Sequence, residues 1–290
     1  MMPNDKYFTK SDYMRERLKK DKILPLIGVY DVFSAALASN YFEGVFCSGY
    51  GFTASHYGLP DNGHMTWSDL VNYVLRMRII LPDNHILVDI DDGFGDKLIA
   101  SDVIRRLEIA GASAVMIEDQ RRPKKCGHLG GKEIVELDVF IKKLENIILS
   151  RNSMFVLART DATDLNEGIK RIKAFAKIGV DAVMVEGLKD RDSIDKVCNV
   201  VPGTTVAVNL IYGGKTPPIT MSQLENHGVK MVIYSTPCLF AAQFAITKIL
   251  NQLKDGDGLL SDDLDQVSLT ENNDVLNKNA ENTFNYYKGE

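Results

Sequence analysis

The 290-residue sequence lacks long apolar runs and closely spaced cysteines. No apolar run approaches the ~20 residues that a membrane-spanning helix needs, and the charged first segment lacks the apolar centre of a signal peptide. We therefore expect a cytoplasmic protein that does not enter a membrane. The four cysteines lie far apart with no CxxC pair, which argues against a zinc site or a disulfide framework.

An excess of charge of one sign is also absent. The chain has 34 Lys and Arg against 39 Asp and Glu, which gives a net charge of −5. This weakly acidic balance offers no electrostatic reason to bind nucleic acid or an anionic membrane, so we expect neither partner. A small anionic substrate is compatible with it, because one local group of cations or a metal ion outweighs a weak overall field.

Short apolar segments alternate along the chain with segments of helical spacing. Most of the apolar segments are continuous, as is typical of parallel strands covered on both faces. Eight strands are predicted, at residues 26–30, 44–48, 86–90, 113–117, 154–159, 181–185, 205–209 and 230–234. Helices are predicted between them, at 31–41, 66–81, 97–110, 132–149, 165–178 and 193–200. The alternation predicts an α/β chain of the closed (β/α)8-barrel class rather than an open doubly wound sheet.

Two further segments flank the predicted strands. Residues 4–20 have the pattern of an amphipathic helix that could plug the N-terminal end of the barrel. We assign residues 1–253 to the barrel with this helix, and 254–290 to a C-terminal extension. Leu, Val, Phe and Tyr recur in the otherwise polar extension. It is either a solvated tail or a helical segment that docks on a partner subunit, and the sequence leaves both open.

Polar residues follow almost every predicted strand. Active sites of (β/α)8 barrels gather at the C-terminal ends of the strands. Taken alone, each residue can be a helix cap or an ion-pair partner, and for a single Asp after a strand that is the favoured interpretation, but their convergence on one rim indicates a site. They are Ser48, Asp89 with Asp91, Glu118 with Asp119, Arg159, Glu186, Asn209 and Ser235.

Carboxylates after the third and fourth strands indicate a bound cation. Asp89, Asp91 and Glu118 would repel one another unless they were protonated or bound to a cation. Oxygen ligands with open positions suit Mg²⁺, or Mn²⁺ as the alternative, held partly through water. Gly93 and Gly95 follow directly, where the backbone must turn sharply. As a bare pattern this segment is also compatible with an ordinary turn.

Residues 118–132, EDQRRPKKCGHLGGK, form a charged loop with one proline and three glycines. A loop of this kind above the strand ends is where a catalytic lid is expected. Cys126 lies among arginines and lysines and close to His128, and these cations are expected to favour its reactive thiolate. The alternative is a surface thiol without a role.

Several motifs resemble, in the same order, those of the isocitrate lyase and phosphoenolpyruvate mutase superfamily. The resemblance covers roughly residues 20 to 250. Its most specific element is PKKCGH at 123–128, because the branch that acts on P–C bonds carries an asparagine at the position of Cys126. The motifs are YD and SA (30–31, 34–35), SGY (48–50), GLPD (58–61), DIDDGFG (89–95), EDQ (118–120), PKKCGH, ARTDA (158–162) and GGKTP (213–217).

The chain resembles the lyase branch of this superfamily but departs from the usual pattern at two positions. GGKTP resembles the 2,3-dimethylmalate lyase group more than isocitrate lyase. Asp92 replaces a threonine that is usual in the superfamily, which would add a carboxylate beside the metal. After the seventh strand the relatives carry a glutamate that is absent here, where residues 209–212 read NLIY and end at Tyr212. Pro237 stands where oxaloacetate acetylhydrolases carry a serine, which makes that hydrolase activity the weaker expectation.

The resemblance implies a role for each group of residues. Mg²⁺ would lie near Asp89, Asp91 and Glu118, largely through waters, and Cys126 would be the general acid and base. Lys124 and His128 would lower the thiol pKa and order the loop, while Asp61, Tyr50 or a metal-bound water would take the hydroxyl proton. The substrate would contact Ser48, Gly49, Tyr50, Gly127, Arg159, Glu186 and Asn209.

The function expected on this basis is Mg²⁺-dependent cleavage of a 2-alkylmalate-like 2-hydroxy dicarboxylate. The products would be a 2-oxo acid and a short carboxylic acid. The alternatives are a C–C hydrolase of the oxaloacetate type, a P–C bond enzyme of the same superfamily, and an inactive barrel that binds or scaffolds. The superfamily also implies a homotetramer whose C-terminal helices are exchanged between subunits.

Overall fold

Eight parallel strands close into a barrel in sequence order. The computed structural model describes residues 8–128, 130–260 and 266–288. The strands are β1 (Leu24–Val29), β2 (Gly44–Cys47), β3 (His85–Asp89), β4 (Ala114–Glu118), β5 (Phe155–Thr160), β6 (Ala182–Val185), β7 (Thr205–Leu210) and β8 (Met231–Tyr234). This architecture confirms the predicted (β/α)8-barrel class. Within the described residues, no helix is both long and apolar enough to cross a membrane.

Helices lie between the strands in sequence, and further helices precede β1 and follow β8. They are α1 (Lys10–Leu18), α2 (Val32–Ser39), α3 (Gly49–Tyr57), α4 (Trp67–Ile80), α5 (Lys97–Ile109), α6 (Leu137–Ser150), α7 (Leu165–Ile178), α8 (Arg191–Val200), α9 (Met221–Asn226), α10 (Pro237–Asp255) and α11 (Leu269–Lys288).

The strands are buried on both faces, which explains their continuous apolar pattern. In β2, Phe46 belongs to the cluster inside the barrel, whereas Val45 and Cys47 belong to the cluster between the strands and the helices. Successive side chains of a strand point to opposite faces, so a strand between two apolar layers needs apolar residues at every position.

α1 packs against the N-terminal end of the barrel. Met14 and Leu18 join the interior cluster, and the Ser11 hydroxyl donates to the backbone carbonyl of Ser113 at 2.7 Å. The described part of the predicted plug therefore forms, while its first residues, 4–7, lie outside the described residues.

The helix predicted at 132–149 begins later, at Leu137. Residues 133–135 instead pair with the segment after β4, where the N–H of Arg121 donates to the carbonyl of Glu133 and that of Val135 to Asp119. This pairing anchors the second half of the charged loop.

The C-terminal extension contains a 20-residue helix, α11. It packs against α2 and α4 of the same chain, where the Asn282 side-chain amide donates to the carbonyl of Ile80 at 3.0 Å. No residue of α10 or α11 is buried, and Phe244, Leu250 and Phe284 are largely exposed.

Asp119 links the ends of β4 and β5 to α7. Its carboxylate accepts from the Thr160 hydroxyl at 2.6 Å, the Asp161 N–H at 2.9 Å and Nη1 of Arg171 at 2.9 Å. Both charged side chains of this ion pair are almost fully buried. Removing one partner of a buried pair leaves the other charge uncompensated, which is strongly destabilising.

We expect Asp119→Ala to lower the free energy of unfolding by about 3 kcal/mol, because Arg171 would stay buried without its partner. Asp102→Ala is the matched control, since its ion pair with Arg106 is exposed and should contribute at most about 1 kcal/mol. Urea denaturation of both variants at one protein concentration measures the difference. Equal losses in the two variants would contradict this assignment.

Candidate active site

The N-terminus of α3 faces the barrel mouth directly after β2. The Ser48 hydroxyl caps this helix by accepting the N–H of Gly51 at 3.1 Å. The N–H groups of Gly49 and Tyr50 lie in the first turn, where a helix offers them no internal acceptor. A Cβ atom added at Gly49 would lie 3.2 Å from Oδ2 of Asp89, so this backbone runs close to the carboxylates. Free N–H groups at a helix N-terminus are suited to bind an anion.

Three buried carboxylates form the centre of the site. Asp89 ends β3, Asp91 follows it with a φ of 50°, and Glu118 ends β4. Burial raises the pKa of Asp89 to about 6, raises that of Asp91, and raises that of Glu118 well above its ordinary value. Oδ2 of Asp91 and Oε1 of Glu118 accept no hydrogen bond from any described residue. Two carboxylate oxygens are thus desolvated without a partner, which is costly.

Lys124 extends from the loop into this carboxylate cluster. Its ammonium group contacts Asp91 and lies 3.1 Å from Oδ1 of Asp61, and its side chain is 3% exposed. Burial alone would lower the pKa of Lys124, but the charges of the surrounding carboxylates outweigh it and raise the pKa well above its usual value. Among the described residues, no set of three or more carboxylate, histidine or cysteine side chains converges as a complete metal-binding group.

Arg159 provides the second cation, from the end of β5. Its Nη1 lies 3.2 Å from Oε2 of Glu118, and its Nε lies 2.9 Å from Oδ2 of Asp161 and 3.3 Å from Oε2 of Glu186. Burial opposes the charge on Arg159, but these carboxylates raise its pKa well above the ordinary value. One guanidinium therefore bridges the ends of β4, β5 and β6.

His128 and Asn209 orient the carboxylate of Glu186. Nε2 of His128 lies 2.6 Å from Oε1 of Glu186, and the Asn209 amide donates to the same oxygen at 3.1 Å. Nδ1 of His128 accepts the N–H of Lys215 at 2.9 Å, which assigns the ring proton to Nε2. Burial would raise the pKa of Glu186, but Arg159 and His128 lower it to about 2.

The pKa of the half-buried Cys126 thiol differs from the prediction made from the sequence. Burial raises its pKa, and the smaller opposing effects of the His128 backbone N–H and of Arg159 do not offset it. The expectation of a favoured thiolate is therefore wrong. The side chains of Lys124 and His128 are bound to carboxylates instead of the sulfur, so they do not supply the predicted lowering of the thiol pKa.

The loop is held in position at both sides of the thiol. The Gln120 amide donates to the carbonyl of Lys125 at 2.9 Å and accepts its N–H at 3.0 Å. At Gly127, an added Cβ atom would lie 2.5 Å from Cγ of Glu186 and closer still to Nη2 of Arg159. Only glycine lets the backbone approach the Arg159 cluster this closely.

Two residues of the site were not predicted from the sequence. Asp161 contacts Arg159, and Lys132 donates to Oδ1 of Asp161 at 2.6 Å with its side chain buried. Asp161 stands in the ARTDA motif directly after β5, which was the signal available for it. Lys132 stood at the boundary between the charged loop 118–132 and a predicted helix that begins only at Leu137, and nothing in the sequence pointed to it in particular.

Two departures from the superfamily pattern lie away from the carboxylate cluster. Asp92 does not add its carboxylate to the cluster as the sequence suggested; it faces Arg122 of the loop, 2.7 Å from Nη2. Tyr212, after β7, is 93% exposed on the rim.

A family model described as phosphoenolpyruvate phosphomutase matches residues 14–254. The chain belongs to this family. It is 31% identical to 2,3-dimethylmalate lyase of Eubacterium barkeri over 287 residues, which are 95% of this chain and 98% of the relative. It is 35% identical to 2-methylisocitrate lyase of Halalkalibacterium halodurans over 251 residues, 84% of this chain and 82% of that one. A crystal structure of 2,3-dimethylmalate lyase, a PEP mutase/isocitrate lyase superfamily member, matches with a TM-score of 0.88, 27% identity and 94% coverage of both chains.

Membership of the phosphoenolpyruvate phosphomutase family confirms the predicted superfamily and agrees with the closed barrel. Both sequence relatives are named as lyases, which supports the prediction of an enzyme that acts as a carbon–carbon lyase.

We expect Gly127→Ala to displace the loop, because the added methyl group collides with Glu186 and Arg159. The rate at which iodoacetamide alkylates Cys126, followed by peptide mass spectrometry, should rise. Gly130→Ala is the control on the same loop, since a Cβ atom there meets nothing within 4 Å. A Cys126 rate that is equal in both variants would show that Gly127 does not hold the loop.

Proposed function

We propose that this chain is a Mg²⁺-dependent lyase that cleaves a 2-hydroxy dicarboxylate of the 2-alkylmalate type into a 2-oxo acid and a short carboxylic acid. The observation that carries the proposal is the pair of buried carboxylate oxygens, Oδ2 of Asp91 and Oε1 of Glu118, that have no hydrogen-bond partner among the described residues. Both oxygens lie at the mouth of the barrel. A family member named as a lyase, 2,3-dimethylmalate lyase, has the same fold.

The donor set fits a hard divalent cation. Asp89, Asp91 and Glu118 offer carboxylate oxygens in a buried setting that raises their pKa values, and a cation there would offset the cost of desolvating like charges. These three residues would hold it, largely through waters. When bound, Mg²⁺ would stabilise negative charge on the oxygens of the substrate as a Lewis acid.

The surrounding residues suit the carboxylate of an oxo acid. The N–H groups of Gly49 and Tyr50 start α3 beside Asp89 and can donate to an anion. The Tyr50 ring packs edge-on against Phe240, with centroids 6.3 Å apart, which fixes its direction. Arg159 would clamp a second carboxylate of the substrate, since a guanidinium can donate two parallel hydrogen bonds.

Cleavage begins with loss of the proton on the C2 hydroxyl group. The C2 oxygen then forms a carbonyl, the C2–C3 bond breaks, and its electron pair leaves with C3 as the enolate of the departing acid. Asp61 is better suited than Tyr50 to accept this proton, because burial raises the pKa of the Tyr50 phenol. Lys124, 3.1 Å from Asp61, orients that carboxylate.

Cys126 would then donate its proton to C3. Burial raises the pKa of its thiol, which keeps the group protonated near neutral pH and therefore able to act as an acid. In the reverse direction the thiolate would remove the same proton, so one residue serves cleavage and condensation. General acid–base groups of this kind typically contribute about 100- to 10,000-fold in rate.

We expect Cys126→Ser to lower kcat for 2-oxo acid release about 100- to 10,000-fold, because a hydroxyl is a far weaker acid than a thiol. The assay couples 2-oxo acid release to a dehydrogenase and tests a panel of 2-alkylmalates with Mg²⁺. Cys198→Ser is the matched control and should leave kcat unchanged, since Cys198 lies on α8 beside the N-terminal ends of the strands, at the end of the barrel opposite the site.

The same panel includes phosphonopyruvate to test P–C chemistry. Release from a 2-alkylmalate that needs Cys126 supports the lyase proposal. Release from phosphonopyruvate alone, or activity indifferent to the thiol, would reject it and favour P–C chemistry or another reaction.

We expect chelation of divalent metal to abolish this activity and added Mg²⁺ to restore it. Glu118→Gln should weaken binding of Mg²⁺ with oxalate at least about tenfold, because it removes one charge from the proposed donor set. Calorimetric titration measures that binding without turnover. Glu133→Gln is the control, because the Glu133 side chain is 75% exposed. Equal affinities in both variants would argue against Glu118 as a metal-binding residue.

We further propose that the chain forms a homotetramer through its C-terminal helices. Two helices of 19 and 20 residues without a single buried residue support this, since exposed apolar side chains on long helices are typical of interfaces. Light scattering on the full chain tests it, and a monomer at micromolar concentration would contradict it.

A further inference from the structure

Arg122 lies on the outer side of the loop and contacts two neighbouring segments of the rim. Its Nε and Nη2 donate to Oδ1 of Asp92 at 3.0 and 2.7 Å. Its Nη1 donates to the carbonyl of Gly63 at 3.4 Å. All three guanidinium nitrogens therefore have an acceptor outside the loop to which Arg122 belongs.

These contacts repeat, closer to the surface, those of Lys124. Lys124 joins the loop to Asp91 and Asp61, and Arg122 joins it to Asp92 and Gly63. Both cations thus connect the same two segments, the one after β3 and the one before α4. The Arg122 side chain is 39% exposed, so its contacts can be altered without removing a charge from the buried cluster.

Asp92 is a fixed partner for Arg122. Its carbonyl accepts from Nζ of Lys143 at 2.7 Å, and the same ammonium donates to the carbonyl of Gly95 at 2.8 Å. Its side chain also accepts the N–H of Phe94 at 3.2 Å. Because Asp92 is already ordered, forming the contact costs chiefly the side-chain freedom of Arg122.

We propose that Arg122 and Asp92 form a strap that holds the Cys126 loop over the carboxylate cluster. Arg122 is a positioning residue, since it contacts the rim and not the carboxylates that face the barrel mouth. The strap also gives a role to Asp92, which departs from the threonine usual in the superfamily. The inference rests on the proposed function only for what Cys126 does; the contact and its effect on access to the thiol do not depend on the reaction.

The test compares Arg122→Gln, Asp92→Asn and the double variant in the full chain. Iodoacetamide should alkylate Cys126 about two- to tenfold faster in each single variant, because a partly exposed charged contact is lost. The double variant should be no faster than Arg122→Gln alone, since Asp92→Asn weakens a contact that Arg122→Gln already removes. Arg121→Gln is the matched control, because Arg121 lies 3.7 Å from Glu133 and both side chains are exposed.

Two further measurements distinguish the strap from a general loosening of the fold and from a role at the metal. Peptide mapping follows Cys198 in the same samples, and an equal rise at Cys198 would mean that the whole fold has loosened and would overturn the proposal. Titration with Mg²⁺ detects a role at the metal. The proposal would also be overturned if Asp92→Asn lowered the affinity for Mg²⁺ while Arg122→Gln left the rate of Cys126 alkylation unchanged.

Activity is measured in parallel with the most active 2-alkylmalate. If the strap exists, kcat/KM should fall in both single variants, and the activity that remains should still require Cys126. If no member of the panel reacts, the proposed function fails while the alkylation rates still decide whether the strap exists.

Discussion

The crowding of buried carboxylates at one end of the barrel is the constraint on which the site depends. Parallel strands bring their C-terminal ends to one rim, so acids that follow successive strands necessarily meet there. Asp89, Asp91 and Glu118 are almost fully buried, and such like charges are tolerated only when cations or protons offset them. Arg159 and Lys124 supply that charge from different sources: Arg159 stands on a strand, whereas Lys124 arrives on a loop. The position of the loop is therefore coupled to the electrostatics of the site.

The sequence predicted the barrel well because its cause is local and repeated. A strand covered on both faces must be apolar at each position, and this signal recurs for every strand. The residues at the strand ends followed from topology alone. The start of α6 was missed because residues 133–135 pair with the segment after β4. Such pairing between distant segments leaves no periodic signal, and helical propensity along 132–136 is overridden by it.

The directions of the loop cations could not be predicted. Arg122, Lys124 and Lys125 are close in sequence and chemically similar, yet they have different partners. Lys124 contacts buried carboxylates, Arg122 contacts Asp92 on the rim, and Lys125 donates to the carbonyl of Gly131 in its own loop. Which cation turns inward depends on the backbone course of the loop, and that course is set by contacts such as those of Gln120 and Gly127.

The pKa of the Cys126 thiol departs from its prediction for a physical reason. Counting neighbouring cations along the sequence predicts a lowered pKa, because it assumes that those charges act on the sulfur. In the structure Arg122, Lys124 and the His128 ring contact carboxylates instead. Desolvation of the thiolate has the largest effect on the Cys126 pKa, and the charges of Asp61 and Glu186 raise it further. A thiol that keeps its proton near neutral pH is suited to donate to a carbanion, which is a strong base and needs no strong acid. Burial and paired charges therefore favour the acid form, and a nucleophilic role, which requires the thiolate, is the less compatible alternative.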